Sequence, residues 1–159
     1  YCGATAVVAS STSSSFGIEL RKPISECAET CGLGCHCYFD PGYAHLGTDF
    51  SSEPGTDVFA PLSGTVEWAA WRNGYGGLVI ITSDDRRYSA VVGHLLCDKV
   101  CNRKNDCGPP HTNGHHCDAI LVEEKQQVKE GDSIGFVGPT GFNQIGGPCS
   151  LGAPASDFY

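Results

Sequence analysis

The chain has 159 residues, with ten Lys and Arg against 18 Asp and Glu, a formal net charge of −8 and 40% hydrophobic residues. That length and apolar content suit one domain with a packed core. The scattered cations of an acidic chain exclude nucleic acid or an anionic membrane surface as the default partner, because phosphate recognition needs clustered Lys and Arg. Apolar runs such as Leu78-Val-Ile-Ile81 fall far short of the roughly 20 residues that a membrane-spanning helix requires. Ten cysteines, with no methionine at the start, read as a mature secreted, extracellular protein after removal of a signal peptide. In such a compartment Cys2, Cys27, Cys31, Cys35, Cys37, Cys97, Cys101, Cys107, Cys117 and Cys149 are all expected to be oxidised. Their pairing is not deducible from spacing. No Asn-x-Ser/Thr acceptor for N-linked sugar occurs.

In chain order, residues 1–25 form an N-terminal arm. It holds a β-prone piece, Thr5-Ala-Val-Val-Ala9, then a Ser/Thr run at residues 10–15 whose composition is that of a flexible tether. The domain proper is expected over residues 26–159. It opens on a dense cluster of Cys27, Cys31, Cys35 and Cys37, for which disulfides outweigh a metal knuckle, with His36 an incidental surface residue. Short β-segments bounded by Gly and Pro follow at 57–60, 64–71, 78–82 and 87–92. Turn chemistry at Asn73-Gly74 and Gly76-Gly77 between them predicts an antiparallel all-β domain. The spacing of Trp68 and Trp71 on one strand places them on opposite faces, one in the core. The other, with Tyr75, offers an aromatic platform for a sugar ring. Residues 97–127 carry Cys97, Cys101, Cys107 and Cys117, for which two local disulfides are the economical reading. A zinc site of His111, His115 and His116 beside Cys117 is the alternative. A turn or two of helix is expected within residues 120–128.

The sites that carry chemistry begin with His45-Leu-Gly-Thr-Asp49, an imidazole and a carboxylate spaced to grip a divalent metal from one side of a strand. Ala60-Pro61-Leu-Ser-Gly64-Thr-Val66 comes next, then Tyr88 through His94-Leu95, and then Val128-Lys-Glu-Gly131-Asp132-Ser-Ile-Gly135-Phe-Val-Gly138-Pro-Thr140-Gly141. Taken in this order over about residues 43–148, the series resembles the lysostaphin-type (LytM-like) zinc endopeptidases. The resemblance implies a small antiparallel β-sandwich, or barrel-sandwich hybrid, rich in disulfides, with residues 97–127 as an insertion. It implies zinc held by His45 and Asp49, with His94 as the histidine beside the metal-bound water. The Ala60-to-Val66 stretch also resembles biotinyl and lipoyl carrier domains, but the modifiable lysine of their tight turn is missing.

The series breaks at its last element. Where the family closes on a histidine pair, this chain has Cys149 and Leu151, so the catalytic histidine and the third zinc ligand are both replaced. A catalytic zinc needs three protein ligands and an open position, so an incomplete site with weak or no zinc is expected. Cys149 as a thiolate ligand is the sharper alternative, and cysteine parity favours a disulfide. Glu53 and Asp57 are candidate acids or bases near the cleft, with solvation as their ordinary fate. The reading leans away from catalysis. It expects a secreted binding or structural module with a glycan or peptide ligand, self-associating through its arm as a homo-oligomer or filament, and some likeness to the leukocyte chemotaxin branch. The alternative is a zinc endopeptidase acting on peptidoglycan or glycine-containing peptides.

Overall fold

The computed structural model describes residues 3–10, 20–25, 28–31, 36–37, 40–44, 47–53, 55–72, 75–97 and 117–138. Every regular element among them is a strand, so the fold is all-β. The strands are β1 (Gly3–Ser10), β2 (Ala28–Cys31), β3 (His36–Cys37), β4 (Asp40–Ala44), β5 (Thr48–Ser51), β6 (Asp57–Phe59), β7 (Gly64–Arg72), β8 (Gly76–Ser83), β9 (Tyr88–Leu95), β10 (Gln127–Val128) and β11 (Ser133–Phe136). Seven make one antiparallel sheet in the order β10-β7-β8-β9-β1-β5-β2, while β11 pairs with β6 and β3 with β4.

The middle of the large sheet is a meander of two tight hairpins, β7–β8 and β8–β9. Its strands are rich in β-branched and aromatic residues, the chemistry that suits a pleated, half-buried surface. Val66, Val79, Ile81, Ala90 and Val92 project to one face and are fully buried. They meet Val58, Ile134 and Val137 of the smaller β6–β11 layer in a single apolar cluster. The layers are tied at one end, where the Leu96 N–H donates to the Phe136 carbonyl at 2.8 Å and Leu95 bridges Val137. Burying such side chains contributes about 1.5–3 kcal/mol each, so this cluster dominates the stability of the domain.

The segment 20–25 docks on the same layer. The Arg21 N–H donates to the Pro61 carbonyl, Phe59 N–H to the Pro23 carbonyl, and Ile24 is fully buried. The piece of the arm upstream of the Ser-rich run is β1, paired on both sides within the large sheet. Trp71 is 9% exposed in the core cluster and Trp68 is half-buried on the other face, as their spacing in a regular strand requires. No helix occurs within residues 120–128. Buried Ile120 and Val122 flank exposed Leu121, a period of two that the core enforces, and a turn at residues 123–126 leads into β10. A disulfide joins Cys97 to Cys117, both almost wholly buried, and the Ala119 N–H donates to the Cys97 carbonyl beside it. This closes the base of the Cys-rich segment.

Candidate functional site

Asp49 is the second residue of β5, and its position is settled by register. It stands opposite Thr5 of β1 on one side and Cys31 of β2 on the other, while Thr5 stands opposite Gly93 of β9. Directly opposed residues of a sheet share a face, so Asp49 and Gly93 belong to one row. The next residue along β5, Phe50, is in the core at 8% exposure. Asp49 therefore presents to the outer face, where it is half-buried.

His94 reaches that face through a defect in the ladder. Gly77 of β8 pairs with Leu95 and Val79 with Val92, so two steps on β8 face three on β9. A regular strand would send Val92 and Leu95 to opposite faces, yet both are fully buried in the core. The extra residue is accommodated at Gly93–His94, a β-bulge that keeps both off the core face. His94 takes up the turn at φ 58°, a left-handed conformation that costs a non-glycine residue about 1–2 kcal/mol. Its peptide is clamped from both sides. The His94 N–H donates to the Tyr75 carbonyl at 2.7 Å, and its own carbonyl accepts from the Gly138 N–H at 3.1 Å.

Gly93 leaves room for a neighbouring ring. A Cβ there would meet Cδ1 of Tyr75 at 3.2 Å, so the Tyr75 ring lies in the space that a side chain would fill, on the Asp49 row. Tyr75 is 41% exposed. Two residues back along β9, the half-buried row Trp68–Ile80–Val91 continues the same face, with the Arg72 guanidinium over the Trp68 ring at 5.6 Å. The backbones of Asp49 and Gly93 are two strand spacings, about 10 Å, apart. Thr5 of β1 stands between them in that row.

Of the expected site residues, the structure brings Asp49 and His94 to one face. His45, Cys149 and Leu151 lie outside the described residues, as do Cys2, Cys27, Cys35, Cys101, Cys107, His111, His115 and His116. Cys31, Cys37 and His36 are placed on β2 and β3 by backbone alone. Glu53 and Asp57 are exposed. Among the described residues no group of three His, Cys, Asp or Glu side chains lies close enough to hold a metal ion. The described donors alone therefore do not fit a zinc centre with three protein ligands. Sequence reasoning missed the bulge and the seating of Tyr75, although a glycine inside a strand just before His94 is the signal for both.

The profile of peptidase family M23 matches residues 43–105, which spans Asp49, Tyr75, Gly93 and His94. A lipoprotein NlpD of Yersinia enterocolitica is 30% identical over 98 residues, covering 61% of this chain and 77% of that protein. The chain belongs to peptidase family M23. An uncharacterized metalloprotease of Haemophilus influenzae is 32% identical over 99 residues, and a lipoprotein NlpD/LppB homolog of Pseudomonas aeruginosa 33% over 105. These matches take in 62% and 65% of this chain but only 16% and 28% of those two proteins. No solved structure gives a significant match. The M23 relationship agrees with the all-β architecture and with the lysostaphin-type motif order read from sequence.

Proposed function

We propose that this M23 domain is a secreted, non-catalytic binding module whose outer sheet face, between Asp49 and the His94 bulge, holds a peptide or glycan of the peptidoglycan type. The observation that carries the reading is the pairing of a retained site face with a broken motif. The register and the bulge support a shared outer face for Asp49 and His94, two strand spacings apart, and in the motif order read from sequence Cys149 and Leu151 fall where the lysostaphin-type series is expected to have histidines. The carboxylate supplies acceptors for ligand N–H groups, and the imidazole a donor or acceptor opposite. Tyr75 and Trp68 supply apolar area on which a sugar ring or peptide methylene packs. Two of the relatives bear the name lipoprotein, which supports a ligand at the cell envelope.

The second reading, a zinc endopeptidase, is favoured by the metalloprotease name of the Haemophilus relative. One experiment separates them. Purified peptidoglycan sacculi are incubated with the protein with and without added zinc, and both sedimentation of the protein and release of soluble fragments are measured. Co-sedimentation without fragment release, weakened several-fold in Asp49→Ala and His94→Ala, supports the binding module. Zinc-dependent release of fragments that Asp49→Ala abolishes would establish the enzyme, and neither binding nor release would refute both.

A further inference from the structure

We infer that β1 is an exchangeable strand and that a second copy of this chain is its partner, each copy inserting β1 between β5 and β9 of the other. The inference is independent of the ligand reading above.

Strands β5 and β9 do not pair with each other, and β1 is the element that joins them. Its residues Gly3 to Ala6 pair with β5, and Thr5 to Ser10 with β9. Without β1, two strands of unpaired N–H and C=O groups would face each other across an empty slot, the template that recruits another strand. The Asp49–Thr5–Gly93 row would also be cut in the middle, so the site is incomplete without β1.

The chain after the Ser-rich tract is anchored without reference to β1. Segment 20–25 is held to the β6–β11 layer by Arg21, Pro23 and buried Ile24, and the Arg21 guanidinium sits over the Phe59 ring at 5.5 Å. Between Ser10 and Leu20 the sequence is Ser-rich, a linker composition. Ten residue steps reach at most about 35 Å when extended. A β1 delivered by another copy makes the same ladder bonds and the same row as the chain's own, so exchange changes the connection and leaves the contacts unchanged, the thermodynamic condition for swapping. Because donor and acceptor positions are reciprocal, the product is a closed two-fold dimer in which each site holds the partner copy's β1. This differs from the open filament expected of an arm that adds to a free sheet edge.

The test uses full-length protein. Heavy-isotope chain carrying a photo-crosslinking residue, Val7→p-benzoylphenylalanine, opposite Val91 of β9, is mixed with unlabelled chain, equilibrated through partial denaturant, irradiated and separated by size. In the dimer fraction, about half of the crosslinks to β9 peptides should join heavy to light chain, the statistical share for a closed exchanged dimer. Crosslinks that are exclusively heavy to heavy in every fraction, or a chain that stays monomeric at all concentrations, would overturn the proposal. If the Val7 variant does not fold, the probe moves to Ala9, opposite Ser89. Deleting residues 13–15 shortens the hinge and should raise the dimer share several-fold. An unchanged or lower share counts against exchange.

Discussion

The two halves of the large sheet are built by different means. The β7–β8–β9 meander closes through short turns, and its second hairpin carries its own side-chain network. There Ser83 Oγ donates to Asp85 at 2.6 Å, the Arg87 N–H donates to the same carboxylate, and the Tyr88 N–H donates to Ser83 Oγ. The β9–β1–β5–β2 half depends on partners far apart in sequence, with Thr5 opposite Gly93 across more than eighty residues. Loop closure must be met before such contacts form, so the meander is the self-sufficient half and the other half is assembled upon it. The candidate site straddles the seam, with His94 on the meander and Asp49 beyond β1. Its geometry is only as firm as the long-range pairing.

The largest effect is expected at the meander core. Ile81→Ala removes a fully buried side chain from the central strand and should cost about 3–4 kcal/mol, a fall in Tm of roughly 10 °C in thermal unfolding followed by circular dichroism. Both halves should melt together, since the second rests on the first. A loss under about 1 kcal/mol would mean that the meander does not carry the fold.

Next comes the disulfide at the end of β9. Cys97 and Cys117 close a loop with a sequence separation of 20, and the double variant Cys97→Ala with Cys117→Ala should lose about 3 kcal/mol in denaturant unfolding. Hydrogen exchange should rise first at Leu96 and Ala119, whose N–H groups lie at that junction.

A smaller effect sharpens the account of the bulge. His94→Gly and His94→Val both delete the imidazole, so they share every loss that comes from it. At φ 58° a β-branched residue is strained and glycine is not. The valine variant should therefore be less stable than the glycine variant by about 1–2 kcal/mol. Equal stability would show that position 94 is not left-handed.

The smallest effect belongs to the β8–β9 turn. The Ser83 hydroxyl first, then the Arg87 N–H and guanidinium, hold the fully exposed Asp85 carboxyl below its ordinary value of 3.8. A lowered carboxylate contributes stability above the unfolded-state pKa, and that contribution is lost as pH falls through the folded-state value. The Tm difference between wild type and Asp85→Asn should be small at pH 7 and shrink as pH drops below about 3.8. A difference that grows in acid would contradict the assigned cause.

Much of this architecture was legible along the chain because its signals are local. The β-prone segments at 64–71, 78–82 and 87–92 and the turn residues between them announce the meander, and the observed strands Gly64–Arg72, Gly76–Ser83 and Tyr88–Leu95 overlap those segments closely. The opposite burial of Trp68 and Trp71 followed from a period of two. The short helix expected within residues 120–128 failed because Glu and Lys there have good helix propensity, but Ile120 and Val122 are claimed by the core at alternate positions. The functional series was legible as motif order, and family M23 membership agrees with it.

The strand-forming segments and the acidic, cysteine-rich character were written in the chain itself, since these are properties of residues and their near neighbours. Tertiary structure alone decided that β1 lies between β5 and β9 and that a bulge turns His94 onto the Asp49 face. It also decided that Tyr75 occupies the space left by Gly93. The physical reason is that strand order and register are set by burial summed over partners distant in the chain, and a one-residue slip in any ladder would reverse every face.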